Sequence, residues 1–328
     1  RWLGRKVIGL GKRLDIDLIP ARNLRRLIKE YRPQAVVCWD VGASEELRLA
    51  VLSSRVRFGG LLPVFGAIAD PTDAERLRSN AHYLGLHVAT PTAELDAYAQ
   101  RELAPGERLG RLLPYVGRTN GIDKQAVRRQ LGVPADAPVV MVDSAGVVRD
   151  RVIAVWALAI VRELYPELRI IMPAISFELP AFQRCRRFLQ NVRVPEMLAG
   201  VDLWDPHIAL AAADVYLEPM RTPGSALGAW AALAKGVAVV AGPAARPALG
   251  ELAAYTQLVD AAKPRWLAGA VLALLKDVPH RTGLTDGAAK WLAENLSLSQ
   301  YRAHLVALYR SIIQRPWRRR SIAGLRRK

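Results

Sequence analysis

Apolar and polar positions alternate along the chain in two periods that follow one another from end to end. In RNLRRLIKEYRP, Leu24, Leu27, Ile28 and Tyr31 recur at helical spacing with arginine and lysine on the other face, and Pro33 stops the run. AVVCWD then reads as a buried strand. A helix is expected behind Ser44 with Glu45 and Glu46, a short strand at LLPVF, and a helix through His82 opened by the capping box Thr72 to Glu75. The strands LHVAT and LLPYV bracket a helix that starts near Thr92.

The second half repeats this grammar. PVVMVDS is a strand, Asp150 is expected to cap a helix reaching Leu164, and LRIIMPA is the next strand. Asp205 with Pro206 at the first helical position opens HIALAAA, which leads into the strand DVYLEP. In RTPGSALGAWAALAKGVAVVAGP a helix is expected to begin at Gly224-Ser225 and end at Gly236, before the strand Val237–Ala241; another helix follows Arg246. LSLSQYRAHLVALYRSII is the strongest amphipathic stretch, and Trp156 and Trp230, inside helices, are expected in the core. Strands that are apolar throughout and alternate with helices predict α/β architecture, parallel sheets covered on both faces.

With 328 residues, 51% of them hydrophobic, the chain can supply cores for two domains. GRTNGID is a polar joint, so the expected division is an N-terminal domain over 1–118, a C-terminal domain over 119–314 and a basic tail over 315–328. No long uncharged apolar run predicts a spanning helix, and no export signal stands at the start, so a cytoplasmic location is expected. Residue 1 is Arg, so an upstream portion is expected to be missing. Cys38 and Cys185 make no disulfide framework, and the five histidines show no metal-ligand spacing, so neither metal nor cofactor is expected.

A formal charge of +17 fits a nucleic-acid binder, a protein on anionic lipid, or an enzyme of phosphorylated substrates. Ten lysines and arginines fall in the first 32 residues and seven in RPWRRRSIAGLRRK. Trp317 beside Arg318, Arg319 and Arg320, with Arg315, suits a headgroup layer; a solvated tail is the plainer reading. No RNA- or DNA-binding motif accompanies the charge, and nucleic acid is not expected as a partner.

Open parallel sheets bind ligands beyond the carboxyl ends of their strands. Two such places carry cations: the loop after PVVMVDS contains Arg149, and the loop after DVYLEP contains Arg221, Thr222, Gly224 and Ser225. Amides at a helix start with two arginines would favour a diphosphate.

In order, RRLIKEYRPQAVVCW, LLPYV, LGVPADAPVVMVDSAGVVRD and LAAADVYLEPMRTPGSALGAWAALAKGVAVVAGP resemble the GT-B glycosyltransferases, specifically family 4, over most of the chain. The resemblance implies two Rossmann-like domains facing a central cleft, with a last helix crossing back. It implies a nucleotide-sugar donor held by the C-terminal domain, a glycan or lipid-linked acceptor, and metal-free transfer with retention of configuration. It places Arg149 on the family's phosphate-binding lysine and Ser144 where a second phosphate-binding base is usual. Pro223 and Ala231 take the positions of the two glutamates that contact the donor sugar and its ribose. Tyr115-Val116, Cys38 and Pro173-Ala174 also depart from the pattern, whereas Gly224, Gly236 and Glu251 keep it. A catalytically silent relative that binds without turnover is the alternative these departures leave open.

Overall fold

The computed structural model describes residues 18–31, 36–38, 64–67, 87–102, 108–112, 122–142, 148–173, 179–201, 206–219 and 226–314. By contacts the chain divides into two compact units. One comprises Arg1–Pro91, Leu95–Leu112 and Ala303–Lys328, the other Thr92–Glu94 and Leu113–Arg302.

In the first unit α1 (Leu18–Tyr31) precedes β1 (Val36–Cys38), β2 (Val64–Ala67) and β3 (His87–Thr90), and α2 (Ala93–Glu102) leads to β4 (Arg108–Arg111). These strands are parallel and lie in the order β1-β2-β3-β4. Ile28 is the buried anchor of α1, whereas Tyr31, read as part of the apolar stripe, is exposed. The fourth strand begins earlier than LLPYV implies. Its residues are RLGR, and the ladder ends with the Leu112 amide donating to the Thr90 carbonyl at 2.8 Å. Pairing on one side only lets an edge strand carry charged side chains. The helices expected behind Ser44 and Thr72 lie outside the described residues.

The second unit holds a parallel six-stranded sheet. In chain order it runs α3 (Lys124–Gln130), β5 (Val139–Val142), α4 (Val148–Arg162), β6 (Arg169–Pro173), α5 (Leu179–Asn191), β7 (Leu198–Val201), α6 (Pro206–Ala212), β8 (Val215–Glu218), α7 (Leu227–Ala234), β9 (Ala238–Ala241), α8 (Arg246–Leu249), β10 (Gln257–Leu258), α9 (Pro264–Lys276) and α10 (Val278–Asn295). Spatial order is β10-β9-β8-β5-β6-β7. Val140, Val142, Val215, Leu217, Ala238 and Val240 face a core built with α4, α5 and α9. The alternate residues Val139, Met141, Tyr216 and Val239 are buried as well. Burial on both faces explains why these strands are apolar throughout.

Helix ends differ from the expected ones in instructive ways. Asp150 lies inside the first turn of α4, two residues past Val148, and so does not cap it; there a carboxylate meets the positive end of the helix dipole. The helix after Arg246 is a single turn, continued as a 3-10 segment, Gly250–Tyr255. The last helix, α11 (Leu298–Gln314), starts at a capping box. The Ser297 hydroxyl accepts from the Gln300 amide at 3.1 Å, and the Gln300 side chain accepts from the Ser297 amide at 2.9 Å. Leu296, read as part of this helix, terminates α10 instead.

Candidate functional site

The central strands β5 and β8 run side by side with Val140 beside Val215 and Val142 beside Leu217. From β5 the chain winds outward through β6 to β7. It then returns to β8 on the other side of β5 and winds outward the opposite way to β10. Strand order thus reverses between β5 and β8, and at such a point open parallel sheets bind ligands beyond the carboxyl ends of their strands. The descending connection from β5 leads into α4, whose first turn carries Arg149 with its side chain exposed. The connection from β8 leads into α7, whose first amides have no side-chain cap, the N-cap position being Ala226. The dipole of α7 makes that end attractive to an anion.

Glu218 lies at this end of the sheet. It ends β8, its carboxyl group is fully buried, and its backbone carbonyl accepts from the Gly242 amide beyond β9 at 3.1 Å. Sequence reasoning did not single it out, although an acid closing an otherwise apolar strand before Pro219 is a legible signal.

At the opposite end of the same two strands a different cluster forms. Asp214 accepts from Lys124 Nζ at 2.6 Å, from Arg128 Nη2 at 2.8 Å and from the Val139 amide at 2.8 Å. Arg128 Nε also donates to the Ala212 carbonyl at 3.1 Å. These bonds tie α3, β5 and β8 together beneath the sheet, on the side where open parallel sheets do not bind ligands. The role of Asp214 is to hold the strand pair.

No family model matches the sequence, and no curated protein matches it. Solved structures do match. A glycosyltransferase from Rickettsia africae superposes with a TM-score of 0.64 at 12% identity, over 90% of this chain and 80% of that one. HepE from Anabaena, crystallised with UDP and glucose, gives 0.68 at 14% identity over 89% of this chain and 81% of its own. Sucrose-phosphate synthase from Thermosynechococcus elongatus gives 0.67 at 15% identity over 90% and 77%. The fold is GT-B.

Within this GT-B fold the structure places some of the residues singled out from sequence and not others. Arg149 is exposed in the first turn of α4. Ser144, Arg221, Thr222, Gly224 and Ser225 lie outside the described residues, as do Pro223, Ala174 and Tyr115-Val116. So do Arg315, Trp317, Arg318, Arg319 and Arg320. The helix expected to start at Gly224-Ser225 begins at Leu227, so α7 is shorter at that end. Ala231 is buried within α7, beside Trp230, whose indole donates to the Ala248 carbonyl at 3.0 Å and meets Trp291 edge-on at 6.0 Å. Gly236 has φ +72° and ends α7 as a Schellman motif: its amide bonds the Leu233 carbonyl and that of Val237 bonds Ala232. Glu251 is exposed on the 3-10 segment.

Trp156 departs from expectation: it is exposed on α4, against Phe188 of α5. Cys185 is fully buried in α5, and burial pushes its thiol up to about 12, with the nearby Arg151 cation opposing the shift. Such a thiol is inert at neutral pH. Among the described residues no group of His, Cys, Asp and Glu could hold a metal ion, and no helix is long and apolar enough to cross a membrane.

Proposed function

We propose that the protein binds a nucleotide diphosphate sugar at the crevice beyond β5 and β8 and transfers the sugar to an envelope glycolipid or polysaccharide precursor. One observation carries this reading. Strand order reverses between β5 and β8, Arg149 is exposed in the first turn of the helix after β5, and α7 starts after β8; at such a reversal open parallel sheets bind ligands. HepE, with the same fold, was crystallised with UDP and glucose. Stabilisation of the leaving diphosphate by Arg149, Arg221, Thr222, Gly224, Ser225 and the amides of α7 is the main catalytic contribution these residues can supply. Ser144, which follows β5 in sequence, would add a neutral phosphate contact. The resemblance to family 4 adds retention of configuration and independence from metal, and we place the protein on the inner face of the cell membrane with its tail on anionic lipid.

A second reading, a silent relative that binds nucleotide without turnover, is favoured by the burial of Ala231. A methyl group packed beside Trp230 can offer no hydrogen bond to a ribose. Calorimetry with nucleoside diphosphates and their sugars separates the two, since turnover of a donor occurs only in the first. Replacing Arg149 with alanine is expected to weaken nucleoside diphosphate binding by about 1.5–3 kcal/mol, the range for hydrogen bonds to charged groups. Equal affinity in both proteins, or no binding up to millimolar concentration, would show that the crevice keeps the fold and not the ligand.

A further inference from the structure

One face of the second unit's sheet is covered by α4, α5 and α9, with α4 packed against both others. Their inward positions are apolar, as any helix on a sheet requires: Ala154, Leu158 and Val161 on α4, Cys185 and Leu189 on α5, Leu267 and Val271 on α9. The outward positions of α4 ought then to be polar. They are not. Trp156 is 51% exposed and Ile160, one turn on, 40%; Leu164, just beyond the helix, is 58% exposed. The Trp156 ring leans on Phe188 of α5 with centroids 6.3 Å apart.

Cations border this ridge. Helix α5, LPAFQRCRRFLQN, has no acidic residue and shows Arg184, Arg186 and Arg187 to solvent. At the start of α9 a second indole, Trp266, is half exposed with the Arg265 guanidinium 5.7 Å over its ring. Of the nearby acids, Glu163 is exposed beside Leu164, whereas Glu196 is engaged by Arg162 at 2.6 Å and Glu167 by Arg169 at 3.5 Å. Two exposed indoles, exposed aliphatic side chains and several arginines thus share one helical layer.

We propose that this layer is a docking face for an anionic lipid bilayer. An indole suits the headgroup boundary, where its apolar ring and polar N–H both find partners, and arginines pair with lipid phosphates. Ile160 and Leu164 then leave water for the acyl boundary. Tryptophan and arginine also favour protein partners. The excess of cations on α5, in a chain of formal charge +17, matches a negatively charged sheet of lipid. These residues are distinct from the carboxyl-terminal tail and from the nucleotide crevice, so the proposal stands or falls apart from both.

The full chain is tested by flotation with vesicles of phosphatidylglycerol and phosphatidylcholine, against phosphatidylcholine alone. The variants are Trp156→Ser with Ile160→Ser, Arg184→Gln with Arg187→Gln, Trp156→Phe, and a chain ending at Gln314. Partition onto anionic vesicles is expected to fall about tenfold in the serine variant, as loss of two buried apolar side chains implies. The glutamine variant is expected to bind less tightly and with a weaker dependence on salt, and Trp156→Phe to retain most of the binding. Brominated acyl chains should quench tryptophan emission in the unaltered protein and less so in Trp156→Phe. Circular dichroism and nucleoside diphosphate affinity should not change, because all four positions are exposed and away from the crevice. Equal partition of the unaltered and serine proteins overturns the proposal, as does complete loss of binding in the chain ending at Gln314. A surface variant that changes oligomeric state without altering partition also overturns it, assigning the ridge to a protein contact.

Discussion

Asp214 shows how one carboxylate organises two strands. Its side chain is 17% exposed and that of Arg128 4%, whereas Lys124 is 43% exposed, so the two ion pairs differ in kind. Removing the carboxylate leaves a buried guanidinium without its counter-charge and a strand amide without an acceptor. Asp214→Ala is therefore expected to lower stability by about 3–5 kcal/mol, against roughly 1 kcal/mol or less for Lys124→Ala. Urea denaturation of both variants checks this, and equal losses would contradict a buried clamp. At this scale sequence was only partly readable. ADVYLEP was recognisable as a landmark, but the partners of Asp214 lie 86 and 90 residues upstream, a distance no local pattern spans. Arg149, read as a loop residue ahead of a helix capped by Asp150, lies instead in the first turn, because the helix starts at Val148. Glu218 was overlooked because attention to apolar strands passes over their last residue.

Helix ends form the next level. Three helices of the second unit close with the same pair of backbone bonds, and at two of them the left-handed residue is Gly132 or Gly236. At the third, after α5, it is Arg193 with φ +61°; its amide bonds the Gln190 carbonyl and that of Val194 bonds Leu189. A side chain in that conformation costs about 1–2 kcal/mol, of which a glycine gives back part through its freer unfolded chain. Arg193→Gly should raise unfolding free energy by up to about 1 kcal/mol, read as a higher urea midpoint. Gly236→Ala should lower stability by a similar amount, and a reversed order would mean the motif is not the determinant. Strands buried on both faces were easy to read, among them β5, β8 and β9. The edge strands β4 and β7 were not: RLGR carries little apolar signal, and LAGV is a short run interrupted by Gly200, each paired on one side only. Helix α5 was missed because Arg184, Arg186 and Arg187 break up the stripe of Ala181, Cys185 and Leu189.

For the whole molecule, the order of motifs along the chain carried more than any one of them. Alternating strands and helices, and the sequence of landmarks, sufficed for a GT-B fold even though identity to solved relatives is only 12–15%. Side chains at a site can change while the winding of the sheet persists, because the winding rests on apolar volume spread over many positions. The same winding has a temporal side. Strands β5, β6 and β7 are neighbours in sequence and in space, but β8 must meet β5 across 75 residues, the span between Val139 and its partner Asp214. Closing so long a loop is slow compared with joining adjacent strands. In pulsed hydrogen exchange during refolding, amides of β6 should be protected before those of β8 and β9, and simultaneous protection would refute that order. A growing chain leaving the ribosome would hold β5, β6 and β7 as a half-sheet with an open edge, and the crevice would come into being only when β8 arrives to close it.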